Sequence, residues 1–199
     1  MSITIIFATN NLHKIEEIKK IVPPGFNIIT LKEAGIDQDI PEPHDTLEEN
    51  AREKSSVIHK LTQQNCFSED TGLEVDALNG APGVKSARYA SESKNFQDNI
   101  NKLLQNMKGK EGDSARFRTV ISLIWDNEEY SFEGVSEGKI IDTPRGERGF
   151  GYDPVFVPNG SNKTFAEMSL EEKNVFSHRR IATDKLVQFL KEKVGSKQQ

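Results

Sequence analysis

The stretch ITIIFATNNLHKIEEIKKIV, residues 3–22, decides the fold class. Its first six residues, Ile3 to Ala8, are apolar and rich in β-branched side chains, the pattern of a short strand buried on both faces. Thr9, Asn10 and Asn11 then break the run. Leu12, Ile15, Ile18 and Val22 follow at helical spacing. A strand, a polar turn and a helix in this order predict an α/β protein whose sheet begins parallel. The same junction can carry chemistry. A helix N-terminus presents free backbone N–H groups and the positive end of its dipole, which suits phosphate. Thr9, Asn10 and Asn11 add side-chain donors, and Lys14 adds a point charge one turn in. The plainer use of these residues is capping by asparagine beside a solvated lysine. The Walker A pattern, with its glycines and G-K-[ST], is absent.

The remaining chain fits one domain over 1–199, with room for two lobes around one sheet. Hydrophobic residues make up 35% and charged residues 29%, ordinary for a globular protein. A net charge of -5 argues against generic binding to a nucleic acid polymer or an anionic membrane, and leaves room for a local basic pocket. The single cysteine, Cys66, excludes an intrachain disulfide and a cysteine-rich zinc site. No apolar run approaches the roughly 20 residues of a membrane span. No basic segment precedes the first apolar run, so no signal peptide is expected, and a cytoplasmic location is. No internal repeat is visible, and the tail GSKQQ is expected to fray.

FNIITL predicts a second strand, and DQDIPEPHD a Pro- and acid-rich loop. Thr46 and Glu49 form a T-x-x-E capping box that opens a helix to about Leu61. NCFS predicts a short strand, GLEVDAL a separate extended piece, and NGAPG a turn. NFQDNINKLLQNM is helical, with Phe96, Ile100, Leu103, Leu104 and Met107 on one face. ARFRTVISLIWD and EYSFEGVSEGKII alternate apolar and polar residues and predict a long antiparallel hairpin joined by NEE. DTPRGERGFGYDPVFVPNGSNKTFAEM is too long for a casual connection, which marks it as functional. Ser169 and Glu172 form a second capping box, opening helix to about Val194 with a break near Ser177. The predicted architecture is a mixed sheet, parallel at first and antiparallel later. His13, His44 and His59 are scattered, as surface or capping histidines would be.

Three further stretches carry candidate chemistry. In CFSEDTG, Glu69 and Asp70 are neighbours just before Thr71 and Gly72. Either they lie on a solvated turn or they hold something positive. A strand end is where α/β proteins place ligands. Adjacent residues of a strand face opposite ways, so only one would face a ligand, and Asp70 abuts the turn. Glu42 could add a carboxylate, and magnesium commonly takes one or two carboxylates plus substrate phosphates. In GERGFGYDPVF, glycines surround Phe150, whose ring could stack on a base; Tyr152 and Asp153 follow. The alternative is an aromatic turn plugging the core. In EEKNVFSHRR, Lys173, His178 and Arg179 would converge if the helix breaks at Ser177; otherwise they form a basic, solvated helix end.

Taken in order, ATNNLHK, SEDTGLEVDALNGAPGVKSARYA, RGFGYDPVF and EEKNVFSHR resemble the inosine triphosphate pyrophosphatase family, from about Ile5 to Leu190. The resemblance implies an elongated mixed sheet with flanking helices, two lobes around a nucleotide-binding cleft, and a homodimer. It implies Mg²⁺-dependent hydrolysis of non-standard purine nucleoside triphosphates to monophosphate and pyrophosphate. By position, Thr9, Asn10, Asn11 and Lys14 match the phosphate-binding turn. Glu42 and Asp70 match metal ligands, Asp70 also the proposed proton acceptor. Thr71 matches a substrate-contacting hydroxyl. Phe150, Gly151, Tyr152 and Asp153 match the nucleotide-binding turn, and Lys173, His178 and Arg179 the C-terminal base and phosphate contacts. Many members have DDSG where this chain has Glu69, Asp70, Thr71 and Gly72, which puts a metal role for Glu69 in doubt. Arg180 stands where glycine is frequent. A Maf-like nucleotide pyrophosphatase is the second enzyme reading, though that type lacks the SHR ending. A non-catalytic nucleotide sensor is the reading from another class, and retention of both Glu42 and Asp70 argues against it.

Overall fold

A computed structural model of the chain describes residues 2–195. Of the tail GSKQQ expected to fray, Gly195 closes the last helix and 196–199 lie outside the described residues, as do the side chains of His13 and Val194. In chain order the elements are β1 (Ile3–Phe7), α1 (Leu12–Lys19), β2 (Phe26–Thr30), α2 (Leu47–Thr62), β3 (Cys66–Val75) and β4 (Pro82–Gly83). There follow α3 (Phe96–Met107), β5 (Ser114–Trp125), β6 (Glu128–Ile140), β7 (Phe156–Pro158), α4 (Leu170–Phe176) and α5 (His178–Gly195). The sheet order is β2-β1-β3-β5-β6-β7, with β4 on β3. β1 runs parallel to both β2 and β3, while β3–β4 and β6–β7 are antiparallel. This is the mixed α/β sheet expected from the opening strand–turn–helix.

The chain forms two compact units. The first comprises Met1–Asp70, Val120–Glu133 and Ile181–Gln199. Its core joins Ile5 and Phe7 of β1, Ile15 and Ile18 of α1, Phe67 of β3, Leu123 and Trp125 of β5, and Leu186 and Leu190 of α5. Phe7 and Phe67 are register partners on β1 and β3, and their rings stack with centroids 4.4 Å apart. Ile6, Ile58 and Cys66 belong to a further cluster of the same unit. Burial there pushes the Cys66 thiol up to about 12, so it acts as a small apolar side chain. The second unit comprises Thr71–Thr119 and Gly134–Arg180. Its core gathers Leu73 and Val75 of β3, Ile100 and Leu103 of α3, Phe117 of β5, and Phe156 and Phe165. Asn99, buried on α3, ties the preceding loop down: its side chain accepts from Ala90 N–H and donates to the Ala87 carbonyl.

Local sequence signals account for most boundaries. Thr46 caps α2 by accepting from Glu49 N–H, although Glu49 returns to the Thr46 hydroxyl rather than to its N–H. Ser169 and Glu172 form the full reciprocal box at α4, and Thr164 with Glu167 forms another. Ser177 has ψ of 122°, which separates α4 from α5 as expected. Asp126 and Asn127, both at positive φ, turn β5 into β6 in two residues.

Four expectations need correction. β3 is one strand of 10 residues, so Thr71 and Gly72 lie within it and the two acids are mid-strand. Leu12 is 71% exposed, because it opens α1 on the face away from the core. Phe96 is 48% exposed and leaves the buried face of α3 to Ile100 and Leu103. β5 also departs from alternation, since every residue from Thr119 to Trp125 is buried; it lies between β3 and β6 in the sheet.

Gly138 on β6 marks where β7 packs closest. A Cβ there would overlap the Val157 carbonyl, the Phe156 ring and Pro158. Two of those three are backbone and cannot rotate away. Gly138→Ala should therefore destabilise the protein by about 1–3 kcal/mol, the usual cost of overpacking. Urea denaturation followed by circular dichroism reads this directly, and an unchanged midpoint would show that β7 yields freely.

Candidate active site

In the first unit the site is built from the acids of β3. Glu69 and Asp70 are both buried. Different lysines meet their carboxylates. Lys14, on α1, places its ammonium 3.0 Å from Glu69 Oε1. Lys54, on α2, lies 3.6 Å from Asp70 Oδ1. Lys54 also donates to Glu42 Oε1 at 2.6 Å and to the Glu69 carbonyl at 2.8 Å. The loop acid Glu42 and the strand acid Asp70 are thus drawn to one ammonium. Of the two sequence alternatives, the acids hold something positive.

The turn after β1 adopts the capping arrangement. Thr9 Oγ1 accepts from Asn11 N–H at 3.1 Å, and Asn11 Oδ1 accepts from Lys14 N–H at 3.4 Å. Asn10 is exposed, and Thr9 and Asn11 are half-buried. Of the two readings of this turn, the structure displays capping.

The donor set suits magnesium. Glu42 and Asp70 offer hard oxygen donors, and the Lys54 ammonium sits on them. Among the described residues no three His, Cys, Asp or Glu side chains gather into a metal cage. A two-carboxylate site is what a metal arriving with phosphates requires.

The second unit holds the aromatic and basic groups. Asp153 Oδ2 accepts from Phe150 N–H at 3.0 Å and from Lys173 Nζ at 2.7 Å. Asp153 therefore fixes the loop, one of the two roles its sequence allowed. Gly149, at φ of 75°, is where this carboxylate folds back, and any Cβ there would collide with Asp153 Oδ2. The Lys173 ammonium lies 5.3 Å from the ring centroids of both Phe150 and Phe165, and the Arg179 guanidinium 5.4 Å from that of Phe150. These are cation–π distances. His178 stacks on Phe117, with centroids 4.7 Å apart and planes 11° apart. The break at Ser177 does bring Lys173 and Arg179 to one ring. Gly151 is half-buried beside Phe150 at φ of 62°. Tyr152 is buried in the core, its hydroxyl donating to the Ser86 carbonyl. Burial, then neighbouring Tyr89, pushes its phenol above the usual range. Thr71 shares a 2.8 Å hydrogen bond with Thr119.

Two residues at these sites escaped the sequence reading. Lys54 carried a usable signal, because it falls on the buried stripe Leu47, Asn50, Ala51, Lys54, Ser55, Ile58. A lysine in such a stripe needs an acid. Phe96 lies 6.2 Å from Phe150, ring to ring, and helical periodicity had assigned it to the core.

Fold and side chains define a class: an α/β protein with an acidic pair held by lysines, and an aromatic ring flanked by cations, chemistry that suits a nucleotide. Comparison with known proteins makes the class specific. The Ham1 family profile matches residues 5–189. The chain is 46% identical over 186 residues to the dITP/XTP pyrophosphatase of Flavobacterium johnsoniae, covering 94% of this chain and 97% of that one. It is 50% identical over 187 residues to the dITP/XTP pyrophosphatase of Porphyromonas gingivalis, covering 94% and 96%. The solved Ham1 protein of Staphylococcus aureus superposes with a TM-score of 0.89 at 41% identity, covering 96% of this chain and 99% of that one. The chain belongs to the Ham1 family, which bears out the resemblance drawn from its motifs.

The Asp153–Lys173 pair is nearly dry, with side chains 5% and 11% exposed. Asp153→Ala leaves a buried ammonium without its carboxylate and should cost about 3–5 kcal/mol. The double variant Asp153→Ala/Lys173→Met should recover part of that loss, as measured by chemical denaturation. A double variant no more stable than the single one would show that the pair's charge is not what matters.

Proposed function

We propose that this protein hydrolyses non-standard purine nucleoside triphosphates, ITP, dITP and XTP, to the monophosphate and pyrophosphate, and so cleanses the nucleotide pool. It is a hydrolase of triphosphate anhydride bonds, as its curated relatives are named. The observation that carries the reading is the pairing of Glu42 and Asp70 around one ammonium. Such a pair suits a magnesium ion brought with phosphates and argues against a non-catalytic nucleotide sensor, since binding alone does not need a metal-activated water. Glu42 and Asp70 would hold Mg²⁺, which when bound offsets charge building on the phosphates. Asp70 would orient the attacking water, whose proton passes to the Asp70 carboxylate or to solvent. The water oxygen bonds to the α-phosphorus, and pyrophosphate departs with the electrons of the broken anhydride bond. Lys14 and the N–H groups opening α1 stabilise phosphate oxygens. A homodimer in the cytoplasm is proposed with this activity. Among the described residues no helix is long and apolar enough to cross a membrane.

Base choice follows from donors. Inosine and xanthine carry an oxygen at C6, an acceptor; adenine carries an amino group, a donor. The Arg179 guanidinium, beside Phe150, has only donors. Donor facing donor leaves both unpaired, at about 1–3 kcal/mol per group. Stacking on Phe150 adds affinity without selectivity.

Asp70→Asn should retain nucleotide binding and lose roughly 10²–10⁴ in turnover, the usual worth of a positioned acid or base. A variant that keeps a third of the wild-type rate would remove Asp70 from the chemistry. Guanine shares the C6 oxygen, so its rejection falls to C2, where its amino group would crowd or lack an acceptor. With Mg²⁺ present, pyrophosphate release should rank ITP, dITP and XTP well ahead of GTP, and GTP at or above ATP, by on the order of 10²–10⁴ in kcat/KM. Arg179→Ala should narrow the ITP/ATP gap by lowering ITP turnover. Equal hydrolysis of ITP and ATP by the wild-type protein would overturn reading at C6. Intact ITP, still bound, would instead favour the sensor.

A further inference from the structure

Lys54 occupies an unusual position for a lysine. It sits on α2 with its side chain only 9% exposed. An ammonium has three hydrogen atoms to donate. Around it stand three oxygens: Glu42 Oε1 at 2.6 Å, the Glu69 carbonyl at 2.8 Å and Asp70 Oδ1 at 3.6 Å. Glu42 comes from a loop and Asp70 from β3, so the ammonium joins two separate parts of the chain. Two carboxylates this close repel each other, and burial magnifies the repulsion. The lysine cancels it. These are also the two carboxylates that fit a divalent ion.

Metal and ammonium therefore compete for one pair of anions. A divalent ion entering alone would meet a buried positive charge, and the displaced ammonium would be left without a counter-ion, at high cost. A diphosphate or triphosphate changes the balance, because its oxygens can take the ammonium. We propose that Lys54 is a positioning residue that couples the metal to the phosphate chain. It holds Glu42 and Asp70 together before either ligand arrives. It weakens binding of bare metal, and it turns to phosphate oxygens once both are present. Coupling of this kind is reciprocal: phosphate raises metal affinity by the factor that metal raises phosphate affinity. Lys14 does not duplicate the device, since its carboxylate partner is Glu69, outside the pair. The proposal rests on Glu42 and Asp70 being the metal pair.

The test measures metal binding rather than turnover. Free Mn²⁺ is followed by electron paramagnetic resonance against the full chain, with and without methylenediphosphonate, correcting for Mn²⁺ bound by the diphosphonate itself. Wild-type protein should bind Mn²⁺ weakly alone and at least tenfold more tightly with the diphosphonate. Lys54→Met should bind bare Mn²⁺ at least fivefold more tightly than wild type and lose most of the coupling. Lys54→Arg, which keeps the charge, should stay weak toward bare metal. Wild-type binding that is unchanged by the diphosphonate overturns the proposal, whatever the variants do. So does a folded Lys54→Met, or Lys54→Gln should the methionine variant not fold, that binds bare Mn²⁺ no more tightly than wild type. If Mn²⁺ binds to the wild-type protein under neither condition, the metal-pair reading itself fails, and the coupling with it.

Discussion

Two carboxylates side by side on a buried strand set a charge problem that the first unit must solve. Glu69 and Asp70 lie mid-strand on β3, where water cannot neutralise them. A low-dielectric interior tolerates such groups only with close cations. α1 supplies Lys14 to one acid and α2 supplies Lys54 to the other. Both helices also bury apolar faces in the same unit, Ile15 and Ile18 from α1 and Ile58 from α2. Packing and ion pairing thus point the helices the same way. Replacing the acids alone would strand the ammoniums of Lys14 and Lys54, whereas replacing acids and lysines together by well-packed apolar residues would leave a fold of similar stability, since buried ion pairs often gain little over hydrophobic side chains.

The second unit uses the opposite charge logic. Lys173, His178 and Arg179 are all buried, as is Asp153. Asp153 takes the Lys173 ammonium and the Phe150 N–H on the same oxygen, which ties the glycine-flanked loop to α4. Aromatic faces lie against all three cationic or basic side chains. Lys173 lies by Phe150 and Phe165, Arg179 by Phe150, and His178 is flat against Phe117. A guanidinium is weakly hydrated and planar, so it tolerates an aromatic neighbour better than an ammonium does. The Lys173 ammonium also receives a carboxylate, that of Asp153.

The sequence shows the outline of this arrangement because its signals are local. The opening strand–turn–helix, the capping serine and threonine, the break at Ser177 and the α/β class depend on neighbours within a few residues, and all are found. What was misread depends on distant partners. Thr71-Gly72 has the composition of a turn, yet the strand runs through it. Leu73 there lies opposite Gly83 of β4, and the Leu73 N–H is met by the Ser86 hydroxyl. Phe96 has the period of a core residue, but it opens α3 beside Phe150, and only the folded chain puts that ring there.

Lys54 shows the limit in its sharpest form. Taken singly, a lysine in a charged helix is a solvated side chain. Placed on the helical period with Leu47, Ala51 and Ile58, it becomes a buried cation that must have anions. The period reveals the need but not the partners, which come from 12 and 15 residues away for Glu42 and the Glu69 carbonyl. The family motifs point to the acids and pass over the lysine between them. Yet the acids converge through that lysine. A carboxylate pair without a cation would spread apart or take up a proton, and in the proposed function neither state would be prepared for a metal that arrives with its phosphates.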